Sequence, residues 1–216
     1  MQQEGVIKFE LRFTLAPAIP ENTLNELNQW RNILWKHALI GQDPDRYDGY
    51  GFGNISQRIG CRNEAAGKRS FAVSGTQTGH LEQLDNRHYA RVTAYDADSN
   101  LVIADGPVMP SSESMTHGVI YDLDNEISVI LHVHSPDIWQ TAFMHEIPVT
   151  HASIEYGTPD MSREVVRLFS QTDVMKKGIF SMGGHKDGIV AFGNSAEEAG
   201  NRLLTALSYS LKNDPR

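Results

Sequence analysis

His132 and His134 stand two residues apart in Leu131-His132-Val133-His134-Ser135-Pro136, closing the apolar run Ile127 to Val133. A β-branched run of this kind is expected to form a buried strand. Residues i and i+2 of a strand face the same way, about 6–7 Å apart along it. The pair therefore presents two imidazoles side by side, and Pro136 puts them at the strand's C-terminal end. Neutral imidazole suits zinc and related ions, so two on one face make half of a metal site. Two unrelated histidines, one capping the strand and one bonded in the core, would give the same pattern. A catalytic zinc site usually takes three protein ligands and keeps a position for water or substrate.

The chain has nine histidines. His37 falls on the apolar face of an expected helix and reads as a core residue. His80, His88 and His145 have no visible partner and read as surface residues. His117, His151 and His185 remain as candidates for a third ligand. Gly183 and Gly184 permit tight backbone geometry just before His185, which favours it on local grounds. In Pro110-Ser111-Ser112-Glu113-Ser114-Met115-Thr116-His117, Ser111 or Ser112 is expected to cap a helix whose face carries Met115, Val119, Ile120 and Leu123. Glu113 would then lie in the first turn, where a carboxylate suits the helix dipole, with His117 one turn on. Two stretches combine glycines with hydroxyls or amides: Gly51 to Arg58, and Val73-Ser74-Gly75-Thr76-Gln77-Thr78-Gly79. Both can bring backbone N–H groups close to an anion, and both also suit ordinary turns. No Gly-Lys-Ser or Gly-Lys-Thr occurs, which excludes a Walker-type loop.

The elements that must position these groups follow from periodicity. Ile7, Phe9, Leu11, Phe13 and Leu15 alternate with polar residues and predict a half-buried strand, ended by Pro17 and Pro20. From Glu21, residues Leu24, Leu27, Trp30, Ile33, Leu34 and His37 follow helical spacing up to Gly41. Short strands are expected at 70–73, 88–95 and 101–104, the last two as a hairpin. A short helix is expected at 137–143, a strand carrying His151 at 147–154, and helices at 160–169 and 172–176. Strands at 178–182 and 188–192 flank the His185 turn, and Ser195 caps a last helix carrying Ala199, Leu203, Leu204, Leu207 and Leu211. Hairpins mixed with helices fit neither a pure βαβ winding nor an all-β pattern.

At 216 residues with 40% hydrophobic content, the chain is expected to form a single domain over 1–216, with 1–20 as an N-terminal strand extension. The net charge is −8 and no Lys/Arg cluster stands out, so no nucleic-acid partner is expected. Cys61 is the only cysteine, which fits a reducing, cytoplasmic location. There is no apolar run of about 18 residues, so no membrane partner is expected. Met1-Gln2-Gln3-Glu4 lacks the basic and apolar features of a signal peptide.

Taken in order, Gly53-Asn54-Ile55-Ser56, Ser74 to Gly79, Pro110 to Glu113, His132-Val133-His134 and Gly184 to Ile189 resemble the motifs of the class II aldolase/adducin N-terminal family. The resemblance spans about residues 22 to 212. That family includes zinc-dependent fuculose-phosphate aldolases, ribulose-phosphate 4-epimerases and methylthioribulose-phosphate dehydratases. The resemblance implies an α/β fold, a three-layer α/β/α sandwich around a mostly antiparallel central sheet. It implies a divalent metal on His132, His134 and His185, with Zn2+ first and Mn2+, Fe2+ or Co2+ as alternatives. It implies Glu113 as catalytic acid/base, and Gly53, Asn54, Thr78, Gly79, Ser111 and Ser112 as substrate-binding residues for an anionic small molecule. It also implies a homo-oligomer, commonly a tetramer. Two loops depart from the family pattern. Lys186 and Asp187 intervene between His185 and Gly188, and Gly75 to Gly79 is longer than the aldolase's short turn. Both are expected to border the site, so whether the substrate is phosphorylated stays open.

A divalent ion on three imidazoles can polarise a ketone oxygen and stabilise the enediolate left when a C–C bond breaks. Glu113 would move the proton that makes or quenches it. The expected activity is a metal-dependent aldolase (lyase) acting on a sugar phosphate or related hydroxy-ketone. An epimerase or dehydratase on a pentulose phosphate would use the same site. A non-catalytic, adducin-like interaction domain would be expected to lack the histidines present here.

Overall fold

The computed structural model describes residues 5–20 and 22–212. The N-terminal reading over Met1 to Glu4 and the helix start at Glu21 lie outside the described residues.

One eight-stranded sheet organises the chain. Its strands are β1 (Glu10–Leu15), β4 (Asn54–Arg58), β5 (Phe71–Ser74), β6 (Tyr89–Asp96), β7 (Leu101–Gly106), β8 (Val129–His134), β9 (Ile179–Ser181) and β10 (Gly188–Gly193). The spatial order is β1-β7-β6-β5-β4-β8-β10-β9. Only β1 with β7 is parallel; every other neighbouring pair is antiparallel. Strands β2 (Gly41–Gln42) and β3 (Gly51–Phe52) form a separate two-stranded ribbon. The helices are α1 (Asn25–Lys36), α2 (Ser114–Leu123), α3 (Pro136–Thr141), α4 (Pro159–Gln171), α5 (Val174–Lys177) and α6 (Ala196–Lys212).

The strands' period of two creates the layers. In β8, Val129, Leu131 and Val133 face one apolar cluster, and Ile130 faces the other. In β10, Ile189 and Ala191 join the first cluster, Val190 and Phe192 the second. The first face is covered by α1, α3 and α6 through Leu27, Leu34, Ile138, Ala199 and Leu203. The second is covered by α2 and α4 through Met115, Ile120, Met161, Val165 and Leu168. The result is the expected α/β/α sandwich around a mostly antiparallel sheet. His132 and His134 take the parity of Ile130, so they point toward the α2/α4 layer.

The structure corrects four local expectations. Residues 147–154 form no strand: a single parallel bridge joins Val149 to Ser181. Ile147 packs in the α1/α6 layer and Ile154 against the α2/α4 layer, so this segment wraps around the β9 edge from one face to the other. A chain changing layers cannot run along the sheet. Neither Ser111 nor Ser112 caps α2. The N-cap is Glu113, with no side-chain capping bond. Ser111 instead closes a turn, its Oγ accepting from Glu113 N at 3.3 Å and its carbonyl from Ser114 N at 3.1 Å. His37 is an exposed C-cap of α1, and the buried polar residue of that helix is Arg31. The first strand begins at Glu10, and Leu15 at its end is 77% exposed.

Candidate metal and acid/base site

Three chain segments meet where β8 ends. β8 delivers His132 and His134, the turn between β9 and β10 delivers His185, and the start of α2 delivers Glu113. Antiparallel pairing fixes the arrangement: His132 lies opposite Asn54 on β4 and Val190 on β10, and His134 lies opposite Gly188. A ring nitrogen from each histidine lies within 4.8 Å of the other two. His132 Nε2 and His134 Nε2 are 3.1 Å apart. Glu113 reaches between the rings, with Oε2 3.0 Å from His132 Nε2 and Oε1 3.0 Å from His185 Nδ1. All four side chains are at most 3% exposed. Asn54 Nδ2 donates to Glu113 Oε2 at 3.4 Å.

Local sequence explains this placement. Gly53 takes a φ of +78°, which breaks β3 from β4 and lets the backbone pass Ile40 and the His132 carbonyl. At Gly183 and Gly184 the constraint is space. A Cβ there would strike the backbone carbonyls of Thr150 and Ile154, so the 147–154 segment can press directly onto the His185 turn. Glu113, released from capping, still lies at the positive end of α2, which favours its charge.

Electrostatics agree with that geometry. Burial raises the Glu113 pKa, but in the metal-free site positive charge on the adjacent His132 and His185 rings outweighs it and holds the carboxyl at about 2; with an ion bound, the ion's charge would take that place. Burial and the neighbouring rings of His185 and His132 push His134 well below its ordinary value. Burial lowers His117 to about 3, so it is neutral at pH 7. A neutral, lone-pair-bearing imidazole is what a metal requires. His132 Nδ1 lies 3.2 Å from the Ile189 carbonyl, which can accept the ring N–H there and free the Nε2 lone pair once an ion is bound. Two ligands of a tetrahedral ion bonded at about 2.0–2.1 Å lie about 3.3–3.4 Å apart. The 3.1 Å between the Nε2 atoms of His132 and His134 matches this, and the cluster can hold a metal ion.

The remaining expected residues divide. Gly53 and Asn54 adjoin the cluster, and Ser111 and Ser112 lead directly into Glu113. Thr78 and Gly79 are tied elsewhere: Thr78 Oγ1 donates to the Gly75 carbonyl, and both their carbonyls accept from Arg31. Gly79 packs on the backbone of Gly41 and Gly51. His117 is buried beneath the site, its Nδ1 2.7 Å from Ser56 Oγ, while His151 is exposed and pairs with Ser153. His88 bonds Asp85 in a small capping box.

Sequence reasoning missed two aromatic neighbours. Tyr156 stacks on His185, with ring centroids 4.5 Å apart and planes at 25°. Tyr47 stands edge-on to His134 at 4.7 Å and donates to Asp187 Oδ2 at 2.7 Å. Nothing local marks either tyrosine. The inserted Asp187 was the available signal, since it borders the third histidine.

Three imidazoles and a carboxylate, buried at the end of an antiparallel sheet in an α/β/α sandwich, define a candidate metal-assisted acid/base centre. The Class II Aldolase and Adducin N-terminal domain profile matches residues 44–209, and the chain belongs to that family. Among solved structures it is similar to an L-fuculose 1-phosphate aldolase, at 18% identity and a TM-score of 0.63, over 90% of this chain and 85% of that one. A sugar-phosphate aldolase from Thermotoga maritima gives 18% identity and 0.63, over 88% and 94%. The N-terminal class II aldolase domain of a conserved Thermoplasma acidophilum protein gives 15% and 0.57, over 91% and 96%. At such identities these likenesses show the fold. No curated protein matches the sequence.

Proposed function

We propose that this protein is a metal-dependent aldolase-type lyase acting on a sugar phosphate or related hydroxy-ketone. The observation that carries the reading is the Glu113 carboxylate set 3.0 Å from ring nitrogens of both His132 and His185, within the three-imidazole cluster. His132, His134 and His185 would hold the ion, and their all-nitrogen donor set favours Zn2+, with Mn2+, Fe2+ or Co2+ as substitutes. The bound ion would supply Lewis-acid polarisation of a substrate carbonyl.

The protein's own groups have distinct parts. Glu113 is ionised at neutral pH, so in the cleavage direction it would take the proton of the hydroxyl beside the C–C bond that breaks, releasing that carbon as an aldehyde, and return the proton to the carbon beside the ketone. The Asn54 amide restrains its Oε2. Burial excludes water, which protects a carbanion-like intermediate from stray protonation. Backbone and hydroxyl groups at Gly53, Asn54, Ser111 and Ser112 would hold the anionic end of the substrate and supply orientation, with Thr78 and Gly79 contributing backbone N–H groups alone, because the Thr78 hydroxyl and both carbonyls are already bonded. The whole chain is read as one such domain, working as a homo-oligomer, a tetramer by family resemblance.

The test is a screen of metal-loaded protein against ketose phosphates and unphosphorylated hydroxy-ketones, scored for cleavage, epimerisation and water loss. Cleavage supports the lyase; epimerisation or water loss alone replaces it with the corresponding alternative. On the substrate found, Glu113→Gln is expected to retain metal and lose proton exchange by about 10²–10⁴-fold, the usual contribution of a general base. Exchange at the wild-type rate would remove Glu113 from that role.

A further inference from the structure

The segment before the first strand runs across two loops beside the histidines. Gly5, at a φ of +72°, packs on the Gln77 side chain so closely that a Cβ would collide with its amide nitrogen. Gln77 Oε1 in turn accepts from Gly51 N at 3.1 Å, two residues before Gly53. One residue on, Val6 N donates to Tyr156 Oη at 3.3 Å. Lys8 then places Nζ 4.1 Å above the Tyr156 ring and 3.1 Å from Glu155 Oε2. Gly157, at a φ of +70°, lies beside the Ser112 carbonyl and the Lys8 side chain; a Cβ there would sit in ordinary contact at 3.5 and 3.6 Å from them. Gly5, Val6 and Lys8 thus bridge the Gly75 to Gly79 loop and the Glu155 to Gly157 loop.

What lies beneath this segment is the three-histidine cluster. Tyr156 is fully buried and stacks on His185, which stacks on His132 at 5.3 Å and 27°. A column of Lys8, Tyr156, His185 and His132 therefore joins the N-terminal segment to the site. The segment is anchored rather than merely laid down. Asn100 donates to the Lys8 carbonyl at 2.9 Å and accepts from Glu10 N at 2.8 Å; Phe9 is buried, and β1 is zipped to β7. These residues precede the family match, which begins at residue 44.

We infer that Gly5 to Lys8 is a wall of the site, holding Tyr156 against His185 as a specificity-determining side chain that admits small ligands and excludes bulky ones. The inference rests on the proposed metal site, because the wall matters for what that site can bind. The physical reason is that a fully buried ring stacked on one ligand leaves no room on that side. Lys8 adds a cation–π contact that holds the ring down.

The test measures access to the imidazoles with and without metal. Metal-free full-length protein, a variant lacking residues 2–8, and Tyr156→Phe are treated with diethyl pyrocarbonate, and each histidine's modification rate is followed by mass spectrometry. Tyr156→Phe keeps the stack and removes the acceptor for Val6 N. His185 is expected to react about tenfold faster in the truncated variant and several-fold faster in Tyr156→Phe, as a local opening would allow. Exposed His80 and His151 and buried His117 are expected to keep their rates. In the metal-loaded protein, the same variants are expected to release metal to the bulky chelator dipicolinate about tenfold faster, with azide binding unchanged. An unchanged His185 rate, or a rise shared with His117, would overturn the wall. Failure of the wild type to hold metal would instead overturn the functional proposal, while the carbethoxylation rates still decide the wall.

Discussion

Glu113 occupies the N-cap of α2 without capping it, and that misuse of a cap position matters chemically. Its carboxylate is turned from the helix's own N–H groups toward His132 and His185, while the Ser111 turn satisfies its backbone. Tyr47 does comparable work for His134. Its ring braces the imidazole edge, its hydroxyl bonds Asp187, and Arg46 donates to that hydroxyl at 2.8 Å. Asp187 also accepts from Ser135 N at 2.8 Å, so it ties the end of β8 to the His185 turn. Burial and the bond to Asp187 raise the Tyr47 pKa, so its hydroxyl stays a donor. Tyr47→Phe is therefore expected to weaken metal binding about tenfold, the lower range for losing such a supporting bond. Competition with a fluorescent chelator measures this, and the unfolding midpoint of the metal-free protein should barely move. His132 and His134 were legible from their local spacing, whereas His185 was only favoured by the glycines before it, and its role and that of Glu113 came from the family resemblance. The Tyr47–Asp187 bond was not legible, since its partners are 140 positions apart, and although Asp187 borders His185, nothing local pairs it with Tyr47.

The ends of elements carry more of the site than their interiors. His134 closes β8, Gly188 opens β10, and the turn between β9 and β10 lifts His185 over both. Strand identity was readable wherever apolar residues ran continuously or alternated, as in β6, β7, β8 and β10. It failed at 147–154, where the apolar pattern belongs to a chain passing from one core layer to the other. That crossing explains the paired glycines before His185. Gly184→Ala would drive a Cβ into the Ile154 carbonyl, a backbone atom that cannot swing aside. It is expected to cost about 1–3 kcal/mol, as overpacking does, read as a lower urea midpoint at unchanged slope. Metal affinity should fall with it, because the turn that holds His185 must shift. An unchanged midpoint and affinity would show that the 147–154 segment yields freely.

Across the whole molecule, two apolar layers flank the sheet, and the polar groups converge on the α2/α4 side at the end of β8. The order of elements showed a mixed α/β chain. The three-layer sheet architecture and the parallel β1–β7 edge came from family resemblance and from tertiary pairing, because partners far apart in sequence leave no periodic trace. Among the described residues no helix is long and apolar enough to cross a membrane. At this scale the decisive proposal is that His132, His134 and His185 act together as one metal site. The most direct measurement is metal content by plasma mass spectrometry on purified protein after equilibration with Zn2+ and desalting, with wild type beside His132→Ala and His185→Ala. The expected result is about one ion per wild-type chain, with both variants losing it while keeping the fold by circular dichroism. Wild-type protein without stoichiometric metal, or variants that retain it in full, would contradict the claim.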